Sequence, residues 1–142
     1  MKHINALEVS TTLEDVCDPR RLALLVYDMQ TGITSQLKAW FDTIIRAGKT
    51  FSYGEQGPEG LLKDKRAIVV ETRGGVYTTG PAASFNHQEP HLKTLLGFIG
   101  ISDVQFIHAE GLDMGPDSQA SGLAHAKSAI EQALDGCVEQ AA

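Results

Sequence analysis

The chain has 142 residues, enough for one domain with a modest core and too few for a second. Its net charge of −6 excludes the basic face that nucleic-acid phosphates require, and 42% hydrophobic with 21% charged residues is ordinary for a soluble globular protein. The longest apolar runs, "LALLVY" and "AIVV", are too short to span a bilayer, and "MKHINALEVS" lacks the apolar core of a signal peptide. No membrane association is therefore expected.

In chain order, "TTLEDV" reads as one helical turn capped by Thr11 or Thr12, and "DPRR" as a turn into the first strand. Cys17 lies just before that turn. It and Cys137 are widely separated and lack CxxC spacing, so they read as free thiols of a reducing cytoplasm. Leu22 to Tyr27 is a continuous apolar run, as expected of a strand buried on both faces of a parallel sheet. Leu37, Trp40, Phe41, Ile44 and Ile45 then recur at helical spacing, and Gly48 is placed to stop that helix.

Residues 48–65 form a long connection whose glycines and Pro58 predict a structured excursion. Ala67 to Glu71 and Val104 to His108 are further buried strands. Between them, Pro90 can open a short helix burying Leu92, Leu95, Leu96 and Ile99; after the second, Pro116 opens a longer one through Leu123, Ile130 and Leu134. The order β-α-β-α-β-α predicts an α/β parallel sheet of about three strands with right-handed crossovers and flanking helices. Such a small sheet leaves the first strand open at its edge, which either residues 1–10 or a second subunit must cover. A homodimer is the expected solution.

From about Gly32 onward, "SQLKAWFDTIIRAGKTFSYGEQGPEGLL", "KRAIVVETRGGVY", "LLGFIGISDVQFIHAEGLDMGPD" and "AKSAIEQAL" resemble the FMN-dependent NADH-azoreductases. The matched segments are long, ordered and correctly spaced. That resemblance implies a truncated flavodoxin-like (Rossmann-like) fold. Before Gly32, "TLEDVCDPRRLALLVYDMQTGI" resembles the first strand of the isochorismatase-like cysteine hydrolases, with Asp28 matching the acid of that family's Asp-Lys-Cys triad. The chain is thus expected to be a chimera in one domain: residues 1–33 hydrolase-like, residues 34–142 azoreductase-like.

The azoreductase resemblance implies cofactor contacts from Thr72, Arg73, Gly74 and Gly75, in the loop that lies against the flavin ring. Consecutive glycines let backbone N–H groups approach a planar ring that any side chain would obstruct; a turn needing positive φ explains the same residues. Met29, Gln30 and Thr31 stand in the other ring-facing loop, after the added carboxylate of Asp28, and Tyr77 stands where family members often have His. The family's Ser-rich phosphate loop has no counterpart here, which weighs against FMN, and NAD(P)H is implied only with FMN. Ser10, Thr11 and Thr12 could cap a helix or cradle the phosphate.

Neither Cys17 nor Cys137 matches a hydrolase nucleophile, so cysteine hydrolase chemistry is not expected. His87, Glu89 and His91 in "HQEPH" have zinc-like spacing, but Pro90 interrupts it and a solvated loop is expected, without a metal. His108 is expected as a hydrogen-bonded core histidine, Glu110 and Asp113 as scaffold, and Trp40 as packing; Tyr53 could face a ligand or a partner. No catalytic residue is assigned. Three functions remain open: a residual FMN-dependent NAD(P)H:quinone or azo oxidoreductase, an inactive recombinant that folds and dimerises, and a new ligand site at the dimer seam where two strand ends and two TRGG loops would converge.

Overall fold

The computed structural model describes residues 2–4, 7–9, 23–28 and 35–140, with side chains described for 36–134. Among them, three strands form the parallel sheet. β3 (Ala23–Asp28) pairs with β6 (Arg66–Thr72), which pairs in turn with β7 (Asp103–Ala109). Each runs one residue beyond its sequence-predicted C-terminal end, and β6 and β7 also begin one residue earlier. β1 (Lys2–Ile4) and β2 (Leu7–Val9) form a separate antiparallel pair. β3 stands at one edge of the sheet, as the sequence suggested.

Both faces of β6 are covered because its side chains alternate between two helical layers. Ala67 and Val69 pack with Leu37, Phe41 and Ile44 of α1 (Ser35–Ile44) and with Leu92 and Leu96 of α2 (Gln88–Phe98). Ile68 and Val70 face the other way, onto Ala126 and Ala133 of α3 (Pro116–Gln140). A continuous apolar run is what such a strand needs.

Three expectations require correction. The helix over Leu37 to Ile44 does not run to a stop at Gly48. It ends at Ile44, where the buried Thr50 hydroxyl donates to Ile44 O (2.6 Å) and accepts from Arg46 N–H (2.9 Å), capping the helix from a distance. Gly48, at φ 74°, instead turns the chain toward β4 (Phe51–Gly54), which pairs with β5 (Gly57–Gly60) as a hairpin. The excursion is this hairpin.

α3 does open at Pro116 and run through Leu123, Ile130 and Leu134, but these are not its buried stripe. Leu123 and Leu134 are exposed, Ile130 is partly buried, and Ala126 and Ala133 make the core contacts. The cause lies at Gly122, where a Cβ would come within 2.2 Å of Glu110 O. The helix approaches the end of β7 so closely that only small residues fit underneath, and the leucines turn outward.

"HQEPH" is no loop either. α2 begins at Gln88 with Pro90 in its first turn, where the missing N–H would have had no intrahelical partner.

Candidate functional site

The strand registers align Asp28 with Thr72 and Thr72 with Ala109, so the three strands end at one level. In parallel sheets ligands bind outside these carboxyl ends, at the loops that follow.

The loop after β6 is fastened along one side to the loop after β7. Arg73 N–H donates to Ala109 O (2.9 Å); Leu112, Asp113 and Gly111 N–H donate back to Arg73 O (3.1 Å), Gly74 O (2.9 Å) and Gly75 O (3.0 Å). Three successive carbonyls are thus consumed on the β7 side. The N–H groups of Gly74, Gly75 and Val76 have no hydrogen-bond acceptor among the described residues. Here is a short row of unused donors at the rim of the sheet.

A single carboxylate anchors the rest of that loop. Glu110 Oε1 accepts from Tyr77 N–H (2.8 Å), Thr78 N–H (3.1 Å) and Arg73 Nη1 (3.0 Å), and Oε2 accepts from the Thr78 hydroxyl (2.5 Å). Burial alone would raise the Glu110 pKa; the Thr78 hydroxyl, the Tyr77 N–H and Arg73 outweigh it and hold it below its ordinary value.

Beneath the loop lies a buried charge cluster on the α2 side. Arg73 Nη2 pairs with Glu71 Oε2 and donates to Asn86 Oδ1 (3.1 Å). His108 Nε2 stands 3.2 Å from Glu71 Oε2 and 3.5 Å from Glu89 Oε2, within ion-pair range but off hydrogen-bond geometry. The hydrogen-bonded core histidine expected from sequence is therefore a half-buried histidine between two carboxylates. For Glu89 burial would again raise the pKa, but the Lys93 ammonium (2.8 Å), the Asn86 amide and His108 lower it overall. Beside the loop a cleft of about 420 Å³ is lined by Val76, Thr78, His108, Glu110, Ser118 and His125, among others.

Of the sequence-predicted site residues, Thr72, Arg73, Gly74 and Gly75 lie together at this rim. Thr72 Oγ1 is buried without a hydrogen-bond partner among the described residues. The Arg73 guanidinium is a correction: it is buried and occupied by Glu71, Glu110 and Asn86, so it serves the loop from within. Gly74 has a second constraint, since a Cβ there would meet Asp113 Oδ2 at 2.5 Å; at Gly75 it would meet the Tyr77 ring at 3.2 Å.

Met29, Gln30, Thr31, Ser10, Thr11, Thr12 and Cys17 lie outside the described residues, as does the side chain of Cys137. His87 and His91 belong to the N-terminal end of α2. Among the described residues no three His, Cys, Asp or Glu side chains group to hold a metal ion, and no helix is long and apolar enough to cross a membrane. Trp40 packs edge-on against Phe41 beside the core, and Tyr53 is exposed on the hairpin. Sequence reasoning missed the anchoring role of Glu110 and the Glu71–Arg73 pair. A glutamate ending an otherwise apolar strand, two positions before an arginine, was the signal available.

Residues 30–134 match a family described as having a flavodoxin-like fold. The chain is 50% identical over 133 residues to FMN-dependent NADH:quinone oxidoreductase 3 of Pseudomonas aeruginosa, covering 92% of this chain and 60% of that protein. It is 58% identical over 100 residues to an FMN-dependent NADH:quinone oxidoreductase of Azotobacter vinelandii, covering 70% of this chain and 49% of that protein. An FMN-dependent NADH-azoreductase of Bacillus anthracis, solved in complex with FMN, matches with a TM-score of 0.67 at 27% identity, over 78% of this chain and 55% of that one. The chain thus spans about half the length of the relatives it matches. The P. aeruginosa match covers so much of the chain that it runs through residues 12–33, and the hydrolase resemblance of that segment finds no support in the comparisons. Nor do they support weighing against FMN, which these relatives carry in their names.

Proposed function

The chain belongs to the flavodoxin-like fold family, and from that membership we propose that it carries the ring-binding side of an FMN-dependent NADH:quinone or azo oxidoreductase site. The observation behind this reading is the row of unused N–H groups at Gly74, Gly75 and Val76. The edge of an isoalloxazine ring is rich in nitrogen and carbonyl acceptors, and a glycine pair lets backbone donors come close to it. The orphaned Thr72 hydroxyl adds a further polar group at the same rim. These residues fit a planar, acceptor-rich ring. Bound FMN would supply the redox chemistry, taking hydride from NADH and passing electrons to the acceptor.

The protein's own part is orientation and electrostatics. Gly74 to Val76 would hold the ring edge, Tyr77 packs behind Gly75, and Arg73 lends its charge from beneath without touching the ligand. Met29 to Thr31 would supply the second ring-facing loop, and Ser10 to Thr12 are the candidates for the phosphate.

Titration of FMN with the purified chain tests this reading through quenching of flavin fluorescence. Saturable quenching at micromolar protein is expected; a chain indifferent to millimolar FMN would sink the proposal. A homodimer remains the proposed assembly. It is supported by the edge position of β3 and by the outward Leu123 and Leu134 of α3. The other reading, an inactive recombinant with a hydrolase-derived start, rests on "LALLVYDMQ" alone.

A further inference from the structure

We propose that Glu110 is a positioning residue for the flavin-facing loop, fixing which side of the Arg73–Thr78 backbone faces the ligand; the role rests on the function proposed above. Glu110 is the first residue after β7, and its side chain is 11% exposed. Its two oxygens collect three kinds of donor from one loop: the Arg73 guanidinium, two consecutive backbone N–H groups and the Thr78 hydroxyl.

The loop's backbone makes the consequence specific. Carbonyls 73 to 75 bond to the β7 loop, the N–H groups of Tyr77 and Thr78 bond to Glu110, and the N–H groups of Gly74, Gly75 and Val76 between them are left without an acceptor among the described residues. The unused row is therefore bounded at one end by β6 and at the other by Glu110. Release the carboxylate, and residues 76–78 lose the contact that ends the row at Val76. Glycines at 74 and 75 offer no side-chain resistance to a change of conformation. The four contacts are charge-assisted, roughly twice as strong as neutral ones, and the carboxyl is held ionised by the donors themselves. Glu110 thus acts on affinity without touching the flavin.

Glu110→Gln keeps the size and removes the charge; Thr78→Val removes only the hydroxyl and is the milder variant. Three readings are taken on each: thermal unfolding, amide NMR shifts of Gly74, Gly75 and Val76 without ligand, and the FMN dissociation constant. For E110Q, shifted amide signals and FMN binding weaker by about tenfold or more are expected. T78V should change each in the same direction by less. If the variants fold and leave the three amide shifts and the FMN affinity as in the unsubstituted chain, the positioning role is overturned. E110Q that fails to fold leaves the decision to T78V, whose unchanged shifts and affinity would equally overturn it. An unsubstituted chain that ignores FMN overturns the proposed function, and this role with it; equal binding by all three proteins overturns this role alone.

Discussion

Arg73 and Glu71, two positions apart where β6 meets its loop, form an ion pair from which solvent is excluded, with side chains 3% and 0% exposed. They point to the same face because strand side chains repeat every second residue. Solvent contributes nothing to screening this pair, so its integrity depends on geometry and on the extra bonds to Glu110 and Asn86.

Arg73→Met leaves Glu71 and Glu110 buried or nearly so without their shared cation. A loss of about 3–5 kcal/mol in unfolding free energy is expected from urea titration. The double variant Glu71→Leu/Arg73→Met should recover much of it, because no charge is then left unpaired at Glu71. A double variant no more stable than Arg73→Met would refute the pairing as the source of the loss.

Gly74 is constrained from behind by Asp113. Gly74→Ala brings a methyl against Asp113 Oδ2 and should destabilise by about 1–3 kcal/mol. Asp113→Ala in the same chain should relieve most of that strain. A double-mutant cycle measures the coupling; strictly additive effects would mean the clash relaxes elsewhere.

Acid stability follows from the two lowered carboxyls. Glu89 and Glu110 titrate below their ordinary value of 4.5 in the folded chain. Their stabilisation is fully present above the unfolded value and is lost as pH falls through the lowered folded values. Unfolding free energy should therefore decline below about pH 4.5, and the decline should be shallower in Glu110→Gln. Equal slopes in the two proteins would contradict the assignment.

The hairpin of β4 and β5 docks through the Phe51 ring, 4.6 Å from that of Phe98, and through a close backbone approach at Gly60. A Cβ at Gly60 would lie 2.1 Å from Gly100 N, and Gly100 itself sits at φ 104°. Gly60→Ala should separate the two segments and speed exchange of the Leu62 amide, which donates to Ile99 O at 2.9 Å. Unchanged exchange would show that the contact yields at no cost.

Leu123→Glu/Leu134→Glu places two charges on the outward face of α3. If that face joins two copies, sedimentation should shift from dimer to monomer with folding retained. A chain already monomeric before substitution would remove the proposed assembly.

The layered sheet was legible because its signal is local. "AIVV" is a continuous apolar run, "VQFIHA" is apolar but for Gln105 and His108, and Leu92 and Leu96 recur at helical spacing. The hairpin was not, because "FSYG" and "GPEG" carry too few apolar residues to alternate, and the close approach of Gly60 to Gly100 joins positions forty residues apart. Leu123 and Leu134 misled for a related reason. Hydrophobicity favoured burying them, but the closeness of α3 to Glu110 at Gly122 decided for alanines. The TRGG stretch could be located from its residues, whereas the inward turn of Arg73 could not. That turn is set by Glu71, Glu110 and Asn86, which only the fold brings together.

The fastening of one loop to the next has a consequence for variation. Where main-chain groups meet a ligand, exchanging side chains at the contact itself changes little of what the ligand encounters. Selectivity is then written one layer back, at positions such as Asp113 that stand behind the loop. A family built this way can diversify its visible surface at Val76 while its chemistry is inherited through the residues behind.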